Sequence, residues 1–416
     1  SRMWFWKRTM PSAARALSKR AVFVAATTTG FTTFAFCNNL RDHDGRLGQS
    51  SSLIGATGKV PEWGTEQVNS VRADWACIGA NQESEDRMVI EKIGEGVVYG
   101  VFDGHYGPRA SEYCRANTPS LLAKASEGLS ASQSIVRRLF QLFESGWIDH
   151  ARILIRRGDW SASLEGSCAL VAHVARDKVV VGNLGDCRAI LISEGDNGKH
   201  IAIPVTREHN ASNTSERERI MREHPDEADA VQFVQKSGSW YVKGTLQVSR
   251  AIGDLFLKDY EFNKALPDHV RPYVGGELKS PPYVSVMPDF FEIPIKKKDK
   301  MLVLASDGLW DELSNDECAK ILEKCILAQK NRTTHSPLES TASSGEHELF
   351  SGHHHHLIQK MENEAKNAAC KLLWGALSAN PVSKRYGVDY VMDLEPGSRR
   401  RQVHDDISIL VVWLPS

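Results

Sequence analysis

The sequence predicts an α+β fold whose sheets are mainly antiparallel. Six apolar runs have the length of buried strands, and longer segments of helical character separate several of them. A two-residue turn at Arg176 and Asp177 joins two of these runs, which is typical of a β-hairpin. The predicted strands are 97–102, 167–175, 178–184, 188–193, 301–305 and 407–414.

Five segments have the pattern expected of helices. They are 108–126, 132–156, 214–224, 314–328 and 359–377. In the third, Ser215 and Glu218 fit a capping box and Pro225 marks the exit. The last two flank a polar insertion at about 329–356, where four consecutive histidines at 353–356 fit solvated sequence better than a metal site.

The first 41 residues differ in composition from the rest of the chain. They are basic and rich in Ser, Thr and Ala, and no acidic residue precedes Asp42. This composition is typical of a mitochondrial transit peptide. Residues 21–40 are uncharged, and about 20 apolar residues can cross a bilayer. A removable presequence, a retained membrane anchor and a disordered basic tail therefore remain open. We expect 42–71 to form a linker and 72–416 to form one domain.

Bulk composition excludes several classes of protein. The formal net charge is −1, so neither nucleic acid nor another polyanion is an expected partner. The eight cysteines form no C-x-x-C pair, which favours reduced, buried thiols over a disulfide framework or a zinc site. No G-x-x-x-x-G-K-[ST] loop occurs, which disfavours a P-loop nucleotide enzyme.

Four motifs centred on acidic residues indicate the chemistry. They are S-E-D at 84–86, V-F-D-G-H-Y-G at 101–107, A-S-D-G-L-W-D at 305–311 and H-D-D-I-S at 404–408. Carboxylates at the ends of buried strands are costly to desolvate unless they are paired or bind a metal. Glu85, Asp103, Asp307 and Asp405 would supply oxygen ligands, which favour Mg²⁺ or Mn²⁺ over zinc. A site with two such ions is suited to phosphoryl transfer.

Together these motifs resemble the metal-dependent protein Ser/Thr phosphatases of type 2C. G-S-C-A at 166–169, N-L-G-D-C-R at 183–188 and Q-V-S-R-A-I-G-D at 247–254 follow in that family's order, so the resemblance covers about 72–415. It implies a four-layer α-β-β-α sandwich of two mainly antiparallel sheets flanked by helices. It also implies hydrolysis of phosphoserine and phosphothreonine by a water that two metal ions activate.

The resemblance assigns metal ligands residue by residue. Asp103 would bridge both ions. Glu85 and the carbonyl of Gly104 would complete the coordination of one ion, and Asp307 and Asp405 that of the other.

The remaining assignments concern proton transfer and a weaker third metal. Asp86 would orient a metal-bound water, and His105 would protonate the departing Ser or Thr oxygen. Asp186 and Asp311 match third-metal positions, although a turn aspartate and a helix-start aspartate explain them equally well.

Two positions depart from the pattern of many family members. Asn81 stands where an arginine often grips the phosphate, so that role would pass to metal-bound waters or to a base such as Arg87. Asp406 replaces the usual asparagine. Both departures, with E-H-N-A-S-N at 208–213, are similar to the mitochondrial pyruvate dehydrogenase phosphatases. The segment 240–254 also resembles a plant branch of the type 2C phosphatase family.

These observations lead to one main expectation and one alternative. The chain is expected to be a protein Ser/Thr phosphatase in the mitochondrial matrix or at the inner membrane, acting on a phosphoprotein such as a pyruvate dehydrogenase-like complex. The alternative is a non-catalytic, phosphatase-like structural subunit of a mitochondrial membrane assembly.

Overall fold

The computed structural model describes residues 52–55, 60–333, 359–361 and 367–415. The strands in this part of the chain are β1 Ser52–Gly55, β2 Glu62–Val68, β3 Val71–Ile78, β4 Asp86–Ile93, β5 Gly96–His105, β6 Gly166–Val174, β7 Lys178–Leu184, β8 Arg188–Glu194, β9 His200–Pro204, β10 Val231–Val234, β11 Ser239–Val242, β12 Ile252–Gly253, β13 Asp289–Pro294, β14 Asp299–Ala305 and β15 Ile407–Trp413.

Two antiparallel sheets form the centre of the molecule. The first has the order β1-β4-β5-β6-β7-β13, with β12 added beside β6. The second has the order β2-β3-β15-β14-β8-β9, and β10 and β11 form a separate hairpin. The predicted turn at 176–177 joins β6 to β7, where Val174 lies opposite Val179. The prediction of antiparallel pairing is confirmed.

The helices of the described residues lie around the two sheets. They are α1 Arg109–Ser126, α2 Ser132–Arg156, α3 Thr214–Glu223, α4 Tyr260–Lys264, α5 Asp307–Trp310, α6 Asn315–Thr333, α7 Ala368–Ala379, α8 Pro381–Tyr386 and α9 Val388–Asp393. Helices α1 and α2 pack against the first sheet, and α6 and α7 against the second. The predicted four-layer α-β-β-α sandwich is therefore confirmed.

The central strands are apolar throughout because both of their faces are buried. In β14, Leu302 and Leu304 point into the core between the sheets. Met301 and Val303, which alternate with them, pack beneath the helices of the second sheet. Successive side chains of a strand point to opposite faces, so two buried faces give a continuous apolar run. This is why sequence periodicity found these strands.

Two predicted boundaries are wrong. The expected linker at 42–71 contains β1 and β2, and β2 pairs with β3 along its whole length. As an edge strand with half-exposed, polar residues, β2 has no apolar run to reveal it. The expected helix at 359–377 is not continuous. A helix begins at Ala368, where the Asn367 side chain caps its first turn.

Other expectations are met or lie outside the described residues. The seven cysteines of the described part are all buried, and no disulfide joins them. Within the same ranges, every helix is too short or too polar to span a bilayer. Residues 1–41 and the four histidines at 353–356 lie outside the described ranges.

Candidate active site

The acidic motifs meet at one edge of the sandwich because of strand direction. Antiparallel neighbours place the start of one strand beside the end of the next. Asp86, which begins β4, therefore lies opposite Asp103 near the end of β5. Asp307 follows β14 directly, and Asp405 shortly precedes β15, which pairs with β14.

A serine from the second sheet connects the two sheets at this edge. The Ser306 hydroxyl donates to the Asp86 carboxylate over 2.7 Å. The same oxygen accepts the backbone N–H of Ser408 over 3.0 Å. Ser306 is fully buried, so this bridge fixes the position of Asp86 relative to β14 and β15.

A cavity of about 560 Å³ opens at this edge. Its walls include seven of the predicted site residues, namely Asp103, Gly104, His105, Asp186, Asp307, Asp311 and Asp405. We call it the acidic cavity. A cavity of this size accommodates a phosphorylated side chain together with ions.

Three aspartates form the tightest group in the acidic cavity. Carboxylate oxygens of Asp103, Asp186 and Asp307 lie within 4.8 Å of one another. Burial and the charge of Asp307 raise the pKa of Asp103 well above its usual value. Burial and the charge of Asp405 do the same for the pKa of Asp307. Bound cations would remove this repulsion, so the oxygen donors fit hard divalent ions.

Both candidates for a weaker third metal site lie at the acidic cavity. Asp186 lies beside Asp103 and Asp307, and its predicted third-site role with Asp311 stays a prediction. Asp311 is exposed and lines the same cavity. Glu85 is buried just outside the cavity wall. Its role as a ligand stays a prediction.

Asp86 is held close to other acids. Burial and the charge of Asp406 raise the pKa of Asp86 to about 8, although the Ser306 hydrogen bond opposes the rise. It lies opposite Asp103 in the β4–β5 pair. Its assigned role in orienting a water also stays a prediction.

The two departures from the family pattern form one hydrogen-bonded unit. The Asn81 side-chain amide donates to Glu85 over 3.1 Å and to Asp406 over 2.9 Å. Asp406 also accepts the backbone N–H groups of Ala80, Asn81 and Glu85. Asn81 therefore stabilises the loop that contains Glu85, and its side-chain amide is used in these hydrogen bonds.

Arg87, the other base suggested for phosphate, is committed elsewhere. Its Nε donates to Glu112 over 2.7 Å, and its Nη1 donates to the carbonyls of Ser84 and Asp86. It does not line the acidic cavity. Its Nη2 lies 3.9 Å from the Glu83 carboxylate, so the geometry gives no support to the suggestion that Arg87 replaces the missing arginine.

An arginine that sequence reasoning missed lies in the cavity wall. Arg401 is buried in the short 3-10 helix Arg400–Gln402, and its guanidinium contacts the Asp405 carboxylate. Burial lowers the pKa of Arg401, but Asp405 and Glu85 raise it above its usual value. Burial raises the pKa of Asp405, yet Arg401 brings it down to about 2. The sequence feature that could have indicated this pair is the spacing of four residues between an arginine and an aspartate.

His105 is paired with a fully buried acid. Its Nε2 lies 2.8 and 2.9 Å from the two carboxylate oxygens of Asp254. Burial lowers the pKa of His105, but the charge of Asp254 raises it well above the usual value. Asp254 has φ of 52°, an unusual conformation for a residue other than glycine. Such strain is characteristic of functional sites.

Cys168 also lines the cavity, where its thiol donates to Asp186 over 3.2 Å. Interaction with Cys187 and burial raise the pKa of Cys168 well above that of a free thiol. Nucleophilic cysteines need the thiolate. Both residues therefore act as packed thiols.

Comparison with known proteins identifies the family. A family model described as protein phosphatase 2C matches residues 74–344. The chain belongs to the protein phosphatase 2C family. Enzymes of this family are protein serine/threonine phosphatases, and their use of Mg²⁺ or Mn²⁺ is general.

Plant relatives bear the same family name. "Probable protein phosphatase 2C 68" of Arabidopsis thaliana is 35% identical over 60% of this chain, which spans 63% of that relative. "Probable protein phosphatase 2C 67" of the same plant is 30% identical, with 82% of each chain covered. "Probable protein phosphatase 2C 43" of Oryza sativa subsp. japonica is 29% identical over 85% of this chain and 80% of that relative.

A solved structure shares the fold. The serine-threonine phosphatase 2C of Toxoplasma gondii aligns with a TM-score of 0.52 and 18% identity, covering 88% of this chain and 99% of that one. At this identity the match bears on the fold alone.

Proposed function

We propose that this chain hydrolyses phosphoserine and phosphothreonine in proteins and depends on Mg²⁺ or Mn²⁺. One observation carries the proposal. Acidic residues from separate segments, with Asp103, Asp186 and Asp307 at the centre, converge on a cavity whose wall also contains His105. An all-oxygen acidic cluster beside a proton donor suits cleavage of a phosphate ester.

The acidic residues would hold the ions. Asp103, Asp307 and Asp405 line the cavity, Glu85 lies next to it, and the Gly104 carbonyl is the fifth predicted ligand. Asp186 and Asp311, which line the same cavity, would extend the set to a further ion. Bound divalent ions supply an activated water and offset the charge of the phosphate.

His105 would donate the proton to the departing Ser or Thr oxygen. Its hydrogen bonds to Asp254 fix the ring and favour the charged imidazolium. An alkoxide is a poor leaving group, so proton donation accelerates the cleavage step. Asp254 acts through His105 and is a positioning residue.

Arg401 would supply positive charge at the cavity wall. It is the buried arginine that contacts Asp405 in this wall. With Asp405 on a metal ion, the guanidinium would retain donors for a phosphate oxygen. These donors support a phosphate-binding role for Arg401, which would replace the arginine that is absent at position 81.

Phosphate release from a phosphoserine peptide with Mn²⁺ tests the proposal. We expect Asp103→Asn to lower kcat/KM at least about a hundredfold, because several kcal/mol of metal-derived stabilisation is lost. Asp196→Asn is the matched control, since Asp196 is exposed at the distant β8–β9 turn. Inactive wild-type protein that binds no Mn²⁺ would refute the proposal and favour the alternative of a structural subunit.

We further propose that the protein works in mitochondria on a phosphoprotein such as a pyruvate dehydrogenase-like complex. The basic, acid-free composition of 1–41 and the similarity of the segment 208–213 support this. The expected result is import of the full chain into isolated mitochondria and loss of import without residues 1–41. N-terminal sequencing of the imported protein then distinguishes a cleaved presequence from a retained anchor. Equal import of both forms would contradict the proposed role of 1–41.

A further inference from the structure

A second cavity adjoins the acidic cavity. Its volume is about 220 Å³, and we call it the side cavity. Both cavities are lined by Arg207, Glu208 and Asn213, so these residues form the junction between them. The outer wall of the side cavity comes largely from helix α3. The two cavities are therefore adjacent, and residues flanking a phosphoserine bound in the acidic cavity would lie near the side cavity.

The carboxylates of the side cavity are already neutralised. Each of the three has an arginine partner at 2.5 to 3.0 Å: Glu208 pairs with Arg188, Glu216 with Arg250, and Asp289 with Arg250. Glu216 also accepts from Arg219 over 3.0 Å. Buried or half-buried pairs of this kind leave little charge for an incoming ligand.

Two arginines of the side cavity have no such partner. Within the described part of the chain, neither Arg207 nor Arg222 has a side-chain hydrogen bond or ion pair. Both are exposed. The backbone beneath each is ordered: the Arg207 carbonyl accepts from Asn183 over 2.8 Å, and Arg222 lies in the last turn of α3. The side cavity therefore presents uncompensated positive charge on a fixed scaffold.

We propose that the side cavity binds an anionic side chain of the substrate, close in sequence to the phosphorylated residue. The inference rests on the proposed phosphatase function and adds a substrate class to it. The ligand is either the carboxylate of Asp or Glu or a second phosphate, because guanidinium donors match both groups. Arg207 lines both cavities, so it would lie between the two binding positions.

The expected effect is moderate and sensitive to salt. An exposed ion pair contributes up to roughly fivefold in binding, and added salt screens it. The side cavity does not contact the scissile bond, so the preference should appear in KM rather than in kcat.

The test compares three sets of phosphoserine peptides. One set carries a single Asp scanned through the four positions on either side of the phosphoserine, the second carries a second phosphoserine there, and the third has alanine throughout. The protein is the full chain with Mn²⁺, and the variants are Arg207→Gln, Arg222→Gln and Arg222→Glu. Arg176→Gln is the matched control, because Arg176 is exposed in the β6–β7 turn and lines neither cavity.

We expect wild type and Arg176→Gln to prefer anionic peptides about fivefold in kcat/KM at some positions. Arg207→Gln and Arg222→Gln should bring that ratio towards one, and Arg222→Glu should reverse the preference in favour of the alanine peptides. A preference confined to the second phosphate would identify phosphate as the ligand, whereas equal effects of both would identify negative charge. No preference in wild type, or an unchanged preference in the Arg222 variants, would overturn the inference.

Binding separates this inference from the phosphatase proposal. Fluorescence anisotropy with labelled peptides in EDTA measures affinity without turnover. Tighter binding of anionic peptides that depends on Arg222 supports the side cavity even if no peptide is hydrolysed. Equal affinity for all peptides contradicts it even if every peptide is hydrolysed.

Discussion

Asp254→Asn tests the proposed role of His105 most directly. In the native protein, burial lowers the pKa of His105 and the charge of Asp254 raises it well above the usual value. Asparagine keeps the size of the side chain but removes the charge. Burial is then opposed only by Cys168, whose contribution is smaller than that of Asp254, so we expect the pKa of His105 to fall.

The structure also sets the size of the effect. At about pH 7.5, a histidine with a pKa near 6.5 is only about one-tenth protonated. Each further unit by which the pKa falls lowers the protonated fraction about tenfold again. The substitution would also put an amide donor in place of one of the two carboxylate oxygens that lie 2.8 and 2.9 Å from Nε2 of His105. With orientation lost as well, we expect kcat for phosphoserine peptides to fall about 10²- to 10⁴-fold.

The assay measures kcat against pH for two substrates. p-Nitrophenolate leaves without a proton, so Asp254→Asn should hydrolyse p-nitrophenyl phosphate almost as fast as wild type. A group with a raised pKa stays protonated to higher pH, so the phosphoserine activity of wild type should persist to higher pH than that of the variant. Asp299→Asn is the matched control, because Asp299 is buried at the far end of β14 and bonded to Ser193.

Two results would refute this reasoning. Equal loss with both substrates, at unchanged thermal stability and Mn²⁺ affinity, would mean that Asp254 supports something other than proton donation. Unchanged activity towards phosphoserine would mean that His105 is not the acid, or that it needs no partner.

Three further predictions follow from the charges. Arg401→Gln should raise KM for phosphopeptides and the inhibition constant of inorganic phosphate about tenfold, because a charged hydrogen bond is lost; unchanged constants would exclude a phosphate contact. Asp307→Asn should stabilise the metal-free protein by about 1–2 kcal/mol, because one repelling carboxylate is removed. The same substitution should abolish the rise in Tm that Mn²⁺ causes. A lower Tm of the metal-free variant than of metal-free wild type would contradict this. Burial raises the pKa of Glu216, but Arg250 and Ser249 lower it from 4.5 to about 2. Above pH 4.5 the charged group should therefore stabilise the fold by about 1–2 kcal/mol after solvent screening. The free energies of urea unfolding of Glu216→Gln and wild type should converge as the pH falls towards 2, and a difference that stays constant with pH would refute this linkage.

How much the sequence predicted depended on how each element is buried. Strands such as β14, buried on both faces, carry continuous apolar runs and were found within two residues. The edge strands β2 and β13 have half-exposed faces and a mixed sequence, so no run identified them. The residue capping α7, Asn367, was missed because the predicted helical pattern continued through it.

The candidate site divides in the same way. The acids Asp103, Asp307 and Asp405 were identifiable because each lies in a short motif beside an apolar strand. The pairing of His105 with Asp254 joins residues 149 positions apart, and no local pattern indicates it. That Arg401, rather than a residue at position 81, is the candidate cation for phosphate likewise depends on contacts across the fold.

The fold class and the set of oxygen donors could be predicted from the sequence, because periodicity and side-chain chemistry are local properties. Three features became evident only in the folded protein: Asp186 lies beside Asp103 and Asp307, Arg401 pairs with Asp405, and Arg207 and Arg222 have no carboxylate partners in the described part of the chain. Charge interactions depend on distance and burial. Those quantities are set when segments far apart in the chain are packed together.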